Sequence, residues 1–316
     1  MSKLKPLYPH EFLSWMAVPG YQGIYILGSF ARHVTIYSQQ MRAFNLIDAL
    51  CKTGQLRPKT KVAVVGGGVA GLTAAAAAAV RDARVTVIES DKDFFPIQRN
   101  AGNRYLHPHI YDWPLFEAET GRANTADFPF LGWEADDADK VFRKLKESWD
   151  NLLKDYPRLT KPKTVMEANV TGLHRDAHWI VETDAPYEKN PGEVKTVEAE
   201  IVILAVGFGR ELGRADVMRY WEQAPFDAVP ETTLLWLVSG YGDGGLTDLM
   251  RLCIDGFRHD EFVKKHEADP TLATKLRNLL TANERENVRS VFDDLLGELG
   301  EESLIGPDQL RMKTKV

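Results

Sequence analysis

The chain has 316 residues, 44% hydrophobic and 27% charged, a balance that supports one large or two modest folded domains rather than a disordered chain. Its net charge of −6 argues against a nucleic-acid surface, which needs clustered Lys and Arg to neutralise phosphates. Apolar runs stay below the roughly 18 residues of a membrane span, and no apolar h-region follows the lysines of residues 1–6. Only Cys51 and Cys253 occur, so a disulfide framework is excluded, cytoplasmic residence is expected, and flavin chemistry of the disulfide-reductase type lacks its paired thiols.

The first 57 residues read as an N-terminal extension packed on a core. They hold a short apolar run at 23–30 and a helix over 37–54, in which Met41, Phe44, Ile47 and Cys51 recur at helical spacing and Gly54 provides the stop. Polar residues at 37–42 open that helix and are expected to cap it, with a contact to the cofactor as the alternative. An apolar strand follows at Lys61–Val65, then an alanine-rich helix at 69–81, then a strand at 84–89 that ends in an acid, together one βαβ unit.

Residues 90–133 lose periodicity and become dense in Pro, Gly, His and aromatic side chains, a stretch too long for a plain connector. Helical spacing resumes over 136–153 through Val141, Phe142, Leu145, Trp149, Leu152 and Leu153, and Pro157 ends it. Strand-like segments follow at 164–173, 178–183 and 195–199. The continuous apolar runs at 201–206 and 233–238, bounded by glycines, predict strands buried on both faces, as in a parallel sheet. Leu246, Leu249, Met250, Cys253, Ile254 and Phe257 form one helical stripe; Val288, Val291, Phe292, Leu295, Leu296 and Leu299 form another. Both are expected to dock on the body of the protein, with an oligomer or partner interface as the alternative.

The chemistry concentrates at Gly66-Gly67-Gly68-Val69-Ala70-Gly71, a Gly-x-Gly-x-x-Gly turn between strand and helix. Gly66 makes the tight turn, Gly68 leaves room for a pyrophosphate, and Gly71 lets the helix pack close to the sheet. Unpaired N–H groups at the helix start then face the phosphates. Glu89, followed by Ser90, is placed to accept hydrogen bonds from the adenosine ribose, and its charge disfavours a 2′-phosphate, so FAD or NAD is expected over NADP.

At this point the chain resembles the superfamily of FAD-linked oxidoreductases that share the fold of glutathione reductase. The run 201–209, an apolar strand leading into Ala205-Val206-Gly207, is similar to the superfamily's second glycine motif, with Val206 in place of the usual Thr. The run 234–245, containing Gly240, Gly242, Asp243, Gly244 and Gly245, looks like the third. The resemblance implies FAD as cofactor, flavin ribityl binding by Asp243, and adenine held by the backbone of Val170, for which a plain core role is an equal alternative. It also implies an α/β fold: a Rossmann-type parallel sheet with helices on both faces and a small β-meander. The FAD-binding domain would span 58–257, with a loop insertion at 90–135, and a helical segment would occupy 258–316. Gly240-x-Gly242-x-x-Gly245 also fits a second nucleotide turn, but no strand ending in an acid follows it.

Only about thirty residues separate Gly209 from Gly240, where relatives with a nicotinamide domain insert it, so no built-in NAD(P)H domain is expected. The loop at 90–133 is expected to shape the substrate side. Arg99 or Arg104 would hold an anionic group, Arg99 lying also within reach of the cofactor; His107, His109 and Tyr105 are the candidates for proton transfer, with loop packing as the alternative for each. Two imidazoles two positions apart without a third ligand make a poor metal site, and no metal is expected. The reading is an FAD-dependent oxidoreductase acting on a small organic substrate. Its rivals are a non-catalytic dinucleotide sensor or subunit of a larger complex, and an NAD-dependent dehydrogenase.

Overall fold

The computed structural model describes residues 8–28, 34–95, 98, 101–102, 104–109, 124–157, 159–184, 195–207, 221, 237–238, 243–254, 256–267, 269–272 and 274–275. In β2 (Lys61–Val65) every residue after the first is buried, and such a run is stable only where both faces of its sheet are covered. It lies between β3 (Arg84–Ile88) and β12 (Ile201–Leu204), paired in parallel with each. The full sheet adds β1 (Ile24–Ile26) beyond β12 and β8 (Lys163–Val165) beyond β3, giving the order β1-β12-β2-β3-β8, parallel throughout.

The crossover from β2 to β3 is α3 (Val69–Val80), buried along nine consecutive positions from Gly71 to Ala79. A helix that is apolar all round belongs inside, and alanines let its neighbour approach closely. That neighbour is α2 (Ile36–Lys52), which packs directly on α3. Thr35 caps α2 with a reciprocal pair of bonds: the Ser38 N–H donates to Thr35 Oγ1, and the Thr35 N–H donates to Ser38 Oγ, both at 2.9 Å. Gly54, at φ +71°, ends the helix, and the N–H groups of Gln55 and Leu56 return to the Leu50 carbonyl.

The expected meander is present between the first and second glycine motifs as β9 (Val170–Arg175), β10 (Trp179–Thr183) and β11 (Lys195–Ala199), all antiparallel. Its inward side chains Trp179, Val181, Val197 and Ala199 share one core with Ala63, Val65, Ile88, Val202 and Ile24 from the parallel sheet. Because side chains alternate along a strand, Val62 and Val64 turn to the opposite face, where α3 lies.

Residues 24–26 sit within the stretch expected as an extension packed on the core, yet they form the edge strand of the sheet, in register Ile24↔Val202, Tyr25↔Ile203 and Ile26↔Leu204. Three residues are too few to display a period. β12 thus lies between β1 and β2. Of the apolar run at 233–238, only 237–238 are among the described residues, and Leu237 is 92% exposed, against the expectation of a strand covered on both faces. An apolar run alone does not establish burial.

Contacts divide the chain into two units, one built on Met1–Arg99, Thr125–Glu134 and Lys140–Leu212, the other on Asn100–Asn124, Ala135–Asp139 and Gly213–Val316. In the first unit, β5 (Thr125–Ala126) and β6 (Trp133–Glu134) form a small antiparallel pair tied to α2 by Gln40. The fully buried Gln40 carboxamide donates from Nε2 to the Leu131 carbonyl at 2.8 Å and accepts from Trp133 Nε1 at 2.8 Å.

In the second unit, β4 (Tyr105–Leu106) pairs with β7 (Asp136–Asp137), and α5 (Asp243–Cys253) and α6 (His259–Glu267) belong to it. Of the stripe expected to dock on the body of the protein or form an interface, Ile254 is buried, while Leu246, Leu249 and Cys253 are exposed; Thr247 and Arg251 are buried as well. Asp248 of α5 pairs with Arg104, and a buried guanidinium left without its carboxylate costs more than two exposed leucines. The helix α4 (Ala138–Asp155) occupies nearly the span expected for it. The helices expected after residue 280 lie outside the described residues.

Candidate functional site

The carboxyl ends of the parallel strands define one edge of the first unit. Gly66 leaves β2 at φ +107°, a conformation that only glycine adopts without strain. A Cβ on Gly66 would strike the Ala205 carbonyl at the end of β12, and one on Gly71 would strike the Gly66 carbonyl. Gly67 is as constrained: its Cα faces the Phe94 ring and Glu89 Oε2. Gly68 differs, because no heavy atom lies within 4 Å of the position its Cβ would take.

Gly68 is the N-cap of α3 and brings no side-chain cap. The Leu72 N–H reaches the Gly68 carbonyl, whereas the N–H groups of the first turn, at Val69, Ala70 and Gly71, precede any intrahelical acceptor. Open space, three donors and the positive end of a helix thus meet at one point, which is the requirement for an anion such as a pyrophosphate.

Glu89 stands at the end of β3, where the sequence places it, but its carboxylate is 5% exposed and turned inward. Oε2 accepts from the Gly67 N–H; Oε1 accepts from the Asp91 N–H at 2.9 Å and from Ser90 Oγ at 3.1 Å. One lone-pair direction of Oε2 is left for a ribose hydroxyl. Besides the ribose contact expected of it, the carboxylate braces the glycine turn against the end of β3. Ser90 contacts the carboxylate and is otherwise exposed. These residues fit a dinucleotide: Gly68, Val69, Ala70 and Gly71 would hold the pyrophosphate, and Glu89 one ribose hydroxyl.

Gly207, at φ +65° and exposed, follows β12 beside the turn; Val206 before it is 57% exposed. Val170 opens β9, pairs with Thr183 and packs against the shared core, as the plain reading of that valine has it. Just before it, Asn169 donates from its backbone and its Nδ2 to Asp184 at 2.6 and 2.9 Å. That side-chain bond first, and the backbone bond next, hold the Asp184 carboxyl below the usual carboxylate range. Asp243 and Gly244 open α5 in the second unit; the side chain of Asp243, and Gly240 and Gly242 before it, lie outside the described residues, as do Arg99, Tyr111 and Trp113.

The loop candidates belong to the second unit. The His107 ring is buried and engaged at both nitrogens: Nδ1 accepts the His109 N–H at 3.1 Å, which leaves Nε2 as the donor to Asn124 Oδ1 at 3.2 Å. That arrangement orders the loop, the alternative weighed for it from sequence. Tyr105 is buried, stacks edge-on with His259 and receives Lys264 Nζ over its ring at 5.4 Å. Arg104, 1% exposed, is held by Asp248 at 2.8 Å, so its charge is committed within the protein rather than to an incoming anion. His109 is the candidate whose side chain is partly exposed. Among the described residues no group of three or more His, Cys, Asp or Glu could hold a metal, and no helix is long and apolar enough to cross a membrane.

Sequence reasoning gave no role to Gly67 or Phe94, and read Gln40 only as part of the polar helix start at 37–42. The aromatic pair at 94–95 gave a signal, since Phe94 stacks edge-on with Trp149 and Phe95 with Phe142 of α4.

Residues 61–156 match the family model described as FAD dependent oxidoreductase. The matched stretch takes in the glycine turn, α3, β3 and α4. No match was found among curated proteins. Among solved structures, the chain is similar to the flavoprotein disulfide reductase RclA from Escherichia coli in its Cu(II) complex, at 12% identity and TM-score 0.27, covering 65% of this chain and 28% of that one. It is similar to a NAD-dependent persulfide reductase from A. fulgidus, at 18% identity and TM-score 0.29, covering 59% and 22%. It is also similar to the FAD-bound cadaverine monooxygenase DfoA from Erwinia amylovora, at 12% identity and TM-score 0.32, covering 56% and 45%. The chain spans less than half the length of each.

Proposed function

We propose that the protein is an FAD-dependent oxidoreductase that transfers a hydride to or from a small organic substrate and has no nicotinamide domain of its own. The observation that carries this reading is the glycine turn: Gly66, Gly67 and Gly71 are demanded by packing, while Gly68 alone faces open space at the uncapped start of α3. Packing alone does not demand a glycine there. The match of residues 61–156 supports FAD over NAD in that space. The roughly thirty residues between Gly209 and Gly240 support the absence of an inserted nicotinamide domain.

FAD, when bound, supplies the hydride chemistry, and the chain supplies position and electrostatics. The first turn of α3 holds the pyrophosphate, Gly207 gives backbone clearance beside it, and Glu89 orients the turn. His109 is the side chain proposed to move a proton at the substrate, with His107 holding its backbone through Nδ1. Mass spectrometry of what the native protein releases on denaturation tests the cofactor: FAD is expected, and NAD or no nucleotide would overturn the reading. Bleaching of the yellow protein by an added nicotinamide donor or by candidate substrates, under argon, then identifies the source of electrons.

A further inference from the structure

The sheet order bears on where the second half of the dinucleotide runs. The carboxyl edge reads, strand by strand, Leu27 and Gly28 after β1, Leu204 and Ala205 on β12, Val65 and Gly66 on β2, Ile88 and Glu89 on β3, and Val165 on β8. It is stitched by N–H donation from Leu27 to Leu204, from Ala205 to Val65, from Gly66 to Ile88 and from Glu89 to Val165. Ligands of open parallel sheets lie across this edge at the point where strand order reverses, here between β2 and β12. With the adenosine toward Glu89 on β3 and the pyrophosphate at Gly68, the remaining half is directed over β12 toward β1. At about 4.8 Å per strand, β1 lies roughly 10 Å from β2, within reach of that half.

Gly28 leaves β1 at φ +96°, and its Cα faces the end of the Gln39 side chain: a Cβ there would meet Gln39 Oε1 at 2.6 Å. Gln39 is on the second turn of α2. Both its Oε1 and its Nε2 are buried, and neither has a hydrogen-bond partner among the described residues. Its neighbour Gln40, by contrast, is fully engaged with Leu131 and Trp133. A buried carboxamide with donor and acceptor both unmatched is costly to keep in a folded chain unless a partner outside the chain matches it.

We propose that Gln39 is a cofactor-binding residue: β1 and α2 wall the flavin half of FAD, and the Gln39 carboxamide pairs with a polar edge of that half offering both an acceptor and a donor. This rests on the FAD reading above. It gives residues 24–52 a binding role beyond packing on the core.

The test uses the full chain freed of nucleotide, with FAD and ADP as probes, because ADP carries the adenosine and pyrophosphate but no flavin. In Gln39→Leu, FAD is expected to bind at least about tenfold more weakly, as for the loss of one or two buried hydrogen bonds. ADP affinity stays within about twofold of wild type, and the melting temperature of the nucleotide-free protein holds or rises, because an unmatched buried polar group has been replaced by an apolar one. Gln39→Met, closer in length, stands in if the leucine variant does not fold. Unchanged FAD affinity overturns the proposal. So does an equal loss for FAD and ADP, or a lowered melting temperature with affinities intact, since each marks a purely structural glutamine. Wild-type protein that binds neither probe removes the FAD reading and this proposal with it; wild-type protein that binds both, with an indifferent variant, removes this proposal alone.

Discussion

Gly68→Ala and Gly71→Ala are the same chemical change three residues apart, and the structure predicts opposite consequences. Gly68 has φ −75° and ψ −178°, extended backbone open to any residue, and nothing lies within 4 Å of the new methyl group. Alanine there reduces the freedom of the unfolded chain, worth about 0.4–1 kcal/mol, and is a poorer N-cap than glycine, which offsets part of that gain. The net change stays within about 1 kcal/mol, or roughly 2–4 °C in melting temperature for a domain of this size. At Gly71 the methyl group is driven into the Gly66 carbonyl and lies 3.3 Å from the Ala205 Cβ, with backbone on the side that must yield. Overpacking of this kind costs about 1–3 kcal/mol, roughly 2–12 °C.

Nucleotide binding separates the pair further. A methyl group at Gly68 fills the space through which a phosphate must approach the first turn of α3, and losing a hydrogen bond to a charged group costs about 1.5–3 kcal/mol, roughly tenfold to a hundredfold in affinity. Thermal melts of the nucleotide-free proteins by circular dichroism, and FAD titrations followed by fluorescence, read the two effects independently. Wild-type FAD affinity in Gly68→Ala, or a melting temperature that falls as far as that of Gly71→Ala, would refute the argument that Gly68 is free for a ligand.

Three further outcomes are expected. Gln40→Ala leaves the Leu131 carbonyl and Trp133 Nε1 buried without partners, so urea unfolding should show a loss of about 2–5 kcal/mol, with the β5–β6 pair the first segment to lose amide protection; a loss below about 1 kcal/mol would mean water replaces the carboxamide. Because the folded Asp184 carboxyl lies below its unfolded value, the stability it contributes is present above the unfolded pKa and is lost as pH falls through the folded one. Carbon NMR of a labelled sample should find Asp184 titrating below the ordinary carboxylate range, and Asn169→Ala should return it there. Burial pushes the Cys51 thiol up, only partly offset by Arg81, whereas Cys253 is exposed. An aromatic disulfide at neutral pH should therefore modify one thiol per chain quickly, and Cys253→Ser should abolish that fast phase while Cys51→Ser keeps it.

Much of the frame was legible because its signals are local. Strand, Gly-x-Gly-x-x-Gly, alanine-rich helix and terminal acid are contiguous, and each obeys its own short period or turn requirement. The helices at 36–52 and 138–155 emerged from apolar spacing and caps, and the meander from short runs between turn residues. Which glycine is free and which are filled was not legible, since Gly67 is closed off by Phe94, 27 positions further on, and Gly66 by Ala205 from another strand.

The tertiary structure decided the long-range matters. Three residues at 24–26 carry no period, and only pairing with β12 makes them a strand. The orientation of α5 followed the Arg104–Asp248 pair, 144 positions apart, rather than its leucine stripe. The inward turn of Glu89 followed the backbone N–H groups folded around it. Local periodicity and turn chemistry act between neighbours and can be read along the chain, whereas edge pairing, ion pairing and the matching of buried polar groups depend on what folding brings together.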